Sequence, residues 1–203
     1  MSAHVLLVRH ATTADTRAGR FSGPEPTPLD TAGRAQAAAV GTALADRRIG
    51  AVLTSPVARA VETAARAGFP DAERVDALVE WDYGTLVGRV AADVRAGDPG
   101  WSLWRDGAPG GESPAEVEQR LDRVVDRLVS AVDGLRPDAT GGDLVVVAHG
   151  HLLRALIARW LGLAMHDAGG FVVDPASISE LSVHHGRRAL ARLNDCGHLG
   201  ATR

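Results

Sequence analysis

Val5-Leu6-Leu7-Val8 runs straight into Arg9-His10, and this stretch decides how the chain is read. Four apolar residues in a row predict a short strand buried on both faces, and its carboxyl end delivers a guanidinium and an imidazole. The same grammar returns at Leu144–Ala148, which ends on His149-Gly150-His151, and at Ala51–Thr54, which follows a turn at Ile49-Gly50 and leads into Ser55 through Arg59. Helical patterns separate these runs. Asp30 caps one with Ala37, Val40 and Leu44 at helical spacing, and Ser55-Pro56 reads as the N-cap and first position of the next. Ser113-Pro114-Ala115-Glu116 is a capping box that launches a long helix with Val117, Leu121, Val124, Leu128 and Val132 on one face. A further helix is read over Leu152–Leu161.

Strands alternating with helices predict a three-layer α/β/α sandwich on a mostly parallel sheet. Ser177–Val183 and Arg188–Leu193 alternate instead, and suggest a terminal hairpin turning at His185-Gly186 that adds an antiparallel edge. Thr12–Pro28 reads as a loop, and Trp81–Gly111 as an excursion over the sheet edge with a short helical stretch near Val87–Arg95. No repeat or composition shift marks a boundary, so residues 1–203 are expected to form a single domain.

The chain has 203 residues, 45% hydrophobic and 23% charged, with a formal net charge of −3. That balance leaves no overall basic field for nucleic acid. The single cysteine, Cys196, excludes an internal disulfide framework and suits a reducing compartment. There is no basic leader before an apolar stretch and no apolar run of membrane-spanning length, so a cytoplasmic protein without membrane attachment is expected. All 22 cationic side chains are arginine, which rules out Schiff-base lysines and a Walker lysine. Any phosphate held here is held by arginine.

Ligands of open α/β sheets gather at the carboxyl ends of strands. Arg9-His10, Ser55 to Arg59 and His149-Gly150-His151 all fall at such ends. Two histidines and two arginines converging there would suit a dianionic group, which suggests phosphate. Taken alone, a histidine after a strand is a loop residue, but Arg9 beside His10 and the distant His149 reverse that reading.

Further motifs follow in order: Thr13 after Leu7-Val8-Arg9-His10, Leu29-Asp30 with Gly33-Arg34 and Gln36-Ala37, Ser55-Pro56 with Arg59-Ala60 and Thr63-Ala64, Glu80-Trp81-Asp82-Tyr83-Gly84, Gly111-Glu112-Ser113, and Ala148-His149-Gly150. Together they resemble the histidine phosphatase superfamily, also called phosphoglycerate mutase-like. Trp101-Ser102-Leu103-Trp104-Arg105-Asp106-Gly107 and His149 through Arg154 are more similar to its acid phosphatase and sedoheptulose-bisphosphatase branch than to the mutases. The resemblance implies a phosphoglycerate mutase-like fold and a hydrolase for a small phosphorylated metabolite such as a sugar phosphate, with no cofactor and no metal. It implies that His10 is the nucleophile, that Arg9, Arg59 and His149 hold the phosphoryl oxygens, and that Glu80 donates a proton from a site shielded from water. Thr16, Ser22, Gly23 and Gly150 fall at phosphate-binding positions, and the amides that open the helix after Gly150 would add anion donors.

Two departures stand beside the nucleophile. The family carries Gly and then Glu or Gln where this chain has Ala11 and Thr12, so the loop backbone and a substrate-facing contact are expected to differ. Thr12, Trp81, Tyr83 and His151 are expected around the pocket, the tryptophans mainly as packing, and Ser55 and Ser113 as helix caps. Arg89, Arg95 and Arg105 are the basic residues of the excursion, none in a mutase motif. A mutase-type phosphotransferase and a non-catalytic phosphate-binding module are the rival readings, and a homodimer through the sheet edge is left open.

Overall fold

Alternate residues of the first strand belong to different cores. The computed structural model describes residues 4–25, 27–134 and 142–202. Its sheet has six strands, β1 (Val5–Arg9), β2 (Ile49–Thr54), β3 (Glu73–Arg74), β4 (Asp143–Ala148), β5 (Ile178–His184) and β6 (Arg187–Asp195), in the order β3-β2-β4-β1-β5-β6. Val5 and Leu7 of β1, with Leu144, Val146 and Ala148 of β4, face one buried cluster; Leu6, Val8, Val145 and Val147 face the other. This period-two sorting of continuous apolar runs is what a sheet covered on both sides requires.

The described residues form seven α-helices, α1 (Ala14–Ala18), α2 (Thr31–Leu44), α3 (Ala58–Arg66), α4 (Ala91–Gly97), α5 (Leu103–Asp106), α6 (Pro114–Gly134) and α7 (Gly150–Leu161), of which the longer ones cover the sheet. Ala37, Val40 and Leu44 of α2 pack with Ala60 and Ala64 of α3 on one side, and Val117, Leu121 and Leu128 of α6 with Leu152, Leu153 and Leu156 of α7 on the other. Two of the three predicted caps form, those at Asp30 and Ser113. The Gly33 amide donates to Asp30 Oδ1 at 2.6 Å, and Ser113 and Glu116 close a reciprocal box at the start of α6.

β3, β2, β4 and β1 run parallel, whereas β5 and β6 form the antiparallel hairpin, turning on His185 and Gly186, both with positive φ. The parallel register brings the strand ends level: the His10 amide donates to Ala148 O (2.8 Å) and the Ser55 amide to Val147 O (2.9 Å).

Four details differ from the sequence reading. Ile49 and Gly50 belong to β2 rather than to a turn. Ser55-Pro56 does not open α3, because Ser55 is still held in the ladder by Val147; the helix starts at Ala58 after Val57, with no side-chain cap. Inside the Thr12–Pro28 loop, Thr13 caps the short α1, and its partner Thr16 completes the box. The excursion has its helix from Ala91 rather than Val87, and it buries Trp81, Tyr83, Leu86, Val94 and Leu103 in the α6/α7-side core instead of skirting the edge.

Candidate active site

A cleft of about 360 Å³ opens at the carboxyl ends of β1 and β4, and Arg9, His10, Arg59, Glu80 and Gly150 line its floor. His10 is nearly buried, and its Nδ1 lies 2.9 Å from its neighbour's carbonyl, Ala11 O. An Nδ1–H donated to that carbonyl leaves the Nε2 lone pair free. Burial, with Arg59 and Arg9 nearby, holds the His10 pKa well below the usual imidazole range, so the ring is neutral around pH 7. His149 is fully buried at the end of β4, its ring 5.2 Å from that of His10 and edge-on to it. Burial first, then His10 and the arginines, hold its pKa down as well.

Each arginine is anchored by one nitrogen. Arg9 Nη1 donates to Val173 O (2.7 Å) and Arg59 Nη1 to Gly23 O (3.1 Å). Four buried side-chain polar atoms lack a hydrogen-bond partner among the described residues, and three of them are Arg9 Nε, Arg59 Nε and His149 Nδ1. Buried polar groups are rarely left unpaired, and an anion bound between these three would satisfy them together. Gly150 is required for this arrangement, because a Cβ there would lie 3.0 Å from Arg9 Cζ. Gly33 does the same for the loop after His10: its ideal Cβ would fall 2.1 Å from Thr12 O.

Glu80 accepts the amides of Trp81 (3.0 Å) and Leu152 (2.9 Å) on Oε1 and that of His151 (3.2 Å) on Oε2. The first turn of α7 therefore already has its acceptor, and the expectation that these amides await a phosphate is corrected: Glu80 occupies those of His151 and Leu152. The segment carrying Glu80 is braced from α6, where Arg120 pairs with both oxygens of Glu112 and donates to Ala77 O, Val79 O and Glu80 O. His151 faces the cleft with its Nδ1 2.7 Å from the Tyr83 hydroxyl. Burial outweighs Glu80 and lowers its pKa to about 4.

Residues 5–196 match the family model described as histidine phosphatase superfamily (branch 1). The chain belongs to this superfamily. It is 36% identical over 196 residues to an acid phosphatase of Mycobacterium tuberculosis, covering 96% of this chain and 93% of that one. It is 29% identical over 184 residues to the sedoheptulose 1,7-bisphosphatase of Saccharomyces cerevisiae, covering 79% and 68%. The solved structure of an open reading frame of Mycobacterium tuberculosis superposes with a TM-score of 0.88 at 34% identity, covering 96% of this chain and 98% of that one.

This histidine phosphatase distributes the remaining candidates unevenly. Thr16, Ser22 and Tyr83 line the cleft, but Thr16 Oγ1 is engaged with Thr13. Gly23 is not on the cleft wall; its carbonyl anchors Arg59. Trp81 is core rather than pocket wall, donating its indole N–H to Glu112 O and standing edge-on to Trp104. Thr12 is turned away, its hydroxyl donating to Asp30 and its amide to Gln36, while Ala11 is fully buried. The two departures after His10 therefore engage the protein, and neither lines the cleft.

Sequence reasoning missed several contributors. Ser55 meets His149 instead of capping α3. Arg154 and Arg20 line the outer cleft with Arg95, the one excursion arginine to reach it, and Phe171, Val172 and Val173 form an apolar lip. Arg154 sits one turn after His151 on α7, a spacing that placed both on one face.

Proposed function

We propose that this histidine phosphatase hydrolyses a small phosphorylated metabolite through a phosphohistidine on His10. The carrying observation is that Arg9 Nε, Arg59 Nε and His149 Nδ1 are buried and unpaired among the described residues, on three residues close to His10: the His149 ring is 5.2 Å away and both arginines act on the His10 charge. Phosphoryl transfer spreads charge over three equatorial oxygens, and fixed donors aimed at them supply most of the stabilisation. In the first step His10 Nε2 attacks phosphorus as the bond to the leaving oxygen breaks, and Glu80 gives that oxygen its proton. In the second, Glu80 as carboxylate takes a proton from water, the water oxygen attacks phosphorus, and the P–N bond breaks to restore the imidazole. A carboxyl group on the cleft floor suits both halves. Arg20, Arg95 and Arg154 outside the floor, against only Asp174 among acidic cleft residues other than Glu80, favour a metabolite with a further anionic group.

The test is phosphate release from a metabolite panel and from p-nitrophenyl phosphate, together with trapping of an acid-labile, alkali-stable phosphoprotein by an alkaline detergent quench. Wild type should release phosphate and His10→Ala should neither release it nor form the adduct. Equal activity in the two proteins would end the proposal.

A further inference from the structure

The two ring nitrogens of His149 stand in different surroundings. Nε2 lies 2.8 Å from Ser55 Oγ, while Nδ1 has no partner among the described residues. Both residues are fully buried. Ser55 is itself fixed: its amide donates to Val147 O at 2.9 Å, and its Oγ accepts from the Val57 amide at 3.3 Å. Oγ keeps a second lone pair, but among the described residues its hydroxyl hydrogen meets no acceptor other than His149 Nε2, so a donating Ser55 is the arrangement that satisfies both groups. A hydroxyl donating to Nε2 leaves a neutral imidazole one position for its own hydrogen, and that position is Nδ1.

We infer that Ser55 is a positioning residue that locks His149 in the Nδ1–H tautomer, so that the ring turns a donor rather than a lone pair toward the phosphoryl oxygens. The opposite tautomer would leave a lone pair on Nδ1, the ring's unpartnered atom, and a lone pair repels the oxyanion that the arginine hydrogens attract. With the lock in place, Arg9 Nε, Arg59 Nε and His149 Nδ1 all carry hydrogen. This gives a role to the hydroxyl of the residue that follows β2, which does not cap α3, since that helix begins only at Ala58. The inference rests on the phosphatase reading for its consequence, but the tautomer itself is a property of the resting protein.

The decisive measurement is a long-range proton–nitrogen correlation spectrum of histidine-labelled wild type at pH 7, with His149 assigned by the signals lost in His149→Asn. The inference requires a protonated Nδ1 and an unprotonated Nε2; the reverse pattern overturns it. Ser55→Ala and Ser55→Thr supply the functional arm. Ser55→Ala should lower kcat/KM for p-nitrophenyl phosphate by about 10- to 100-fold, the scale of removing a partner that orients a histidine ring. Orthovanadate inhibition should weaken in parallel, His149 should show both tautomers, and Ser55→Thr should restore the single tautomer. A Ser55→Ala protein that keeps one Nδ1–H tautomer and full vanadate affinity would refute the role. Should Ser55→Ala not fold, the wild-type spectrum decides alone. A wild type without phosphatase activity would remove the proposed function while leaving the spectrum to judge the lock.

Discussion

The Leu152 amide donates to Glu80 Oε1 at 2.9 Å, so the carboxylate proposed to move the proton is seated on the first turn of the helix that follows His149. Glu80 thus has two duties, stabilising the α7 N-terminus and serving the cleft. Glu80→Gln keeps an acceptor oxygen for the amides and loses the proton. It should lower kcat for a poor leaving group by about 10²- to 10⁴-fold. The loss should be much smaller for p-nitrophenol, which leaves without full protonation. Equal losses for both substrates would remove the acid role. Glu80→Ala should in addition lower the melting temperature, because the helix terminus loses its anion, at a cost of about 1 kcal/mol.

Gly150 tests the clamp from the opposite side. Gly150→Ala keeps a helix former in α7 but sets a methyl group 3.0 Å from Arg9 Cζ. Either the guanidinium or the helix terminus shifts. A displacement of this kind should reduce kcat/KM about 10- to 100-fold and weaken inhibition by inorganic phosphate, with circular dichroism unchanged. Unaltered phosphate inhibition would show that Arg9 does not hold the anion.

Arg154 is held by Ala168 O and Gly169 O and stacks 4.6 Å from the Trp104 ring centroid, which leaves it aimed but not neutralised. Arg154→Met retains the stem and removes the charge. Its kcat/KM should fall about 10- to 100-fold for metabolites bearing a carboxylate or second phosphate, as loss of a charged hydrogen bond implies, and far less for p-nitrophenyl phosphate. Equal losses across the panel would assign Arg154 to structure rather than to substrate choice.

How much of this was legible depends on how far the deciding contact lies along the chain. The strands around Val5 and Leu144, the Asp30 and Ser113 caps and the His185-Gly186 turn are local patterns, and they are found where the sequence puts them. Ser55-Pro56 has the local pattern of a cap, but Val147 and His149 on a distant strand claim its amide and hydroxyl. Thr12 is drawn away from the cleft by Asp30 and Gln36, and the amides of α7 are taken by Glu80. Nothing within a few residues of any of these positions announces its partner. The residue types of the site were readable; which of their atoms remain free was not.

His151 gives stability a pH dependence of defined sign. Its pKa is about 4 in the native protein, mainly through burial, against 6.5 as the ordinary value. Below about 6.5 the unfolded chain takes up a proton that the native ring does not, so this contribution is complete above about pH 6.5 and is lost as the pH falls toward 4. The loss should approach about 3 kcal/mol for this group, and His10 and His149, shifted in the same direction, steepen it. Chemical denaturation from pH 7.5 to 4.5 should show the decline, and His151→Gln should flatten it. A slope unaffected by His151→Gln would refute this assignment.

The parallel pairing of β1 with β4 joins early and late parts of the chain, and Arg9 meets Ala148 in its register. Helices such as α6 and α7 can form from local contacts, but no fragment holding only one of these strands possesses the site. Recovery of catalytic competence after denaturation is therefore a clock for closing the long loop between these two strands. A population with its helical signal restored will still be inert until those two strands have found each other.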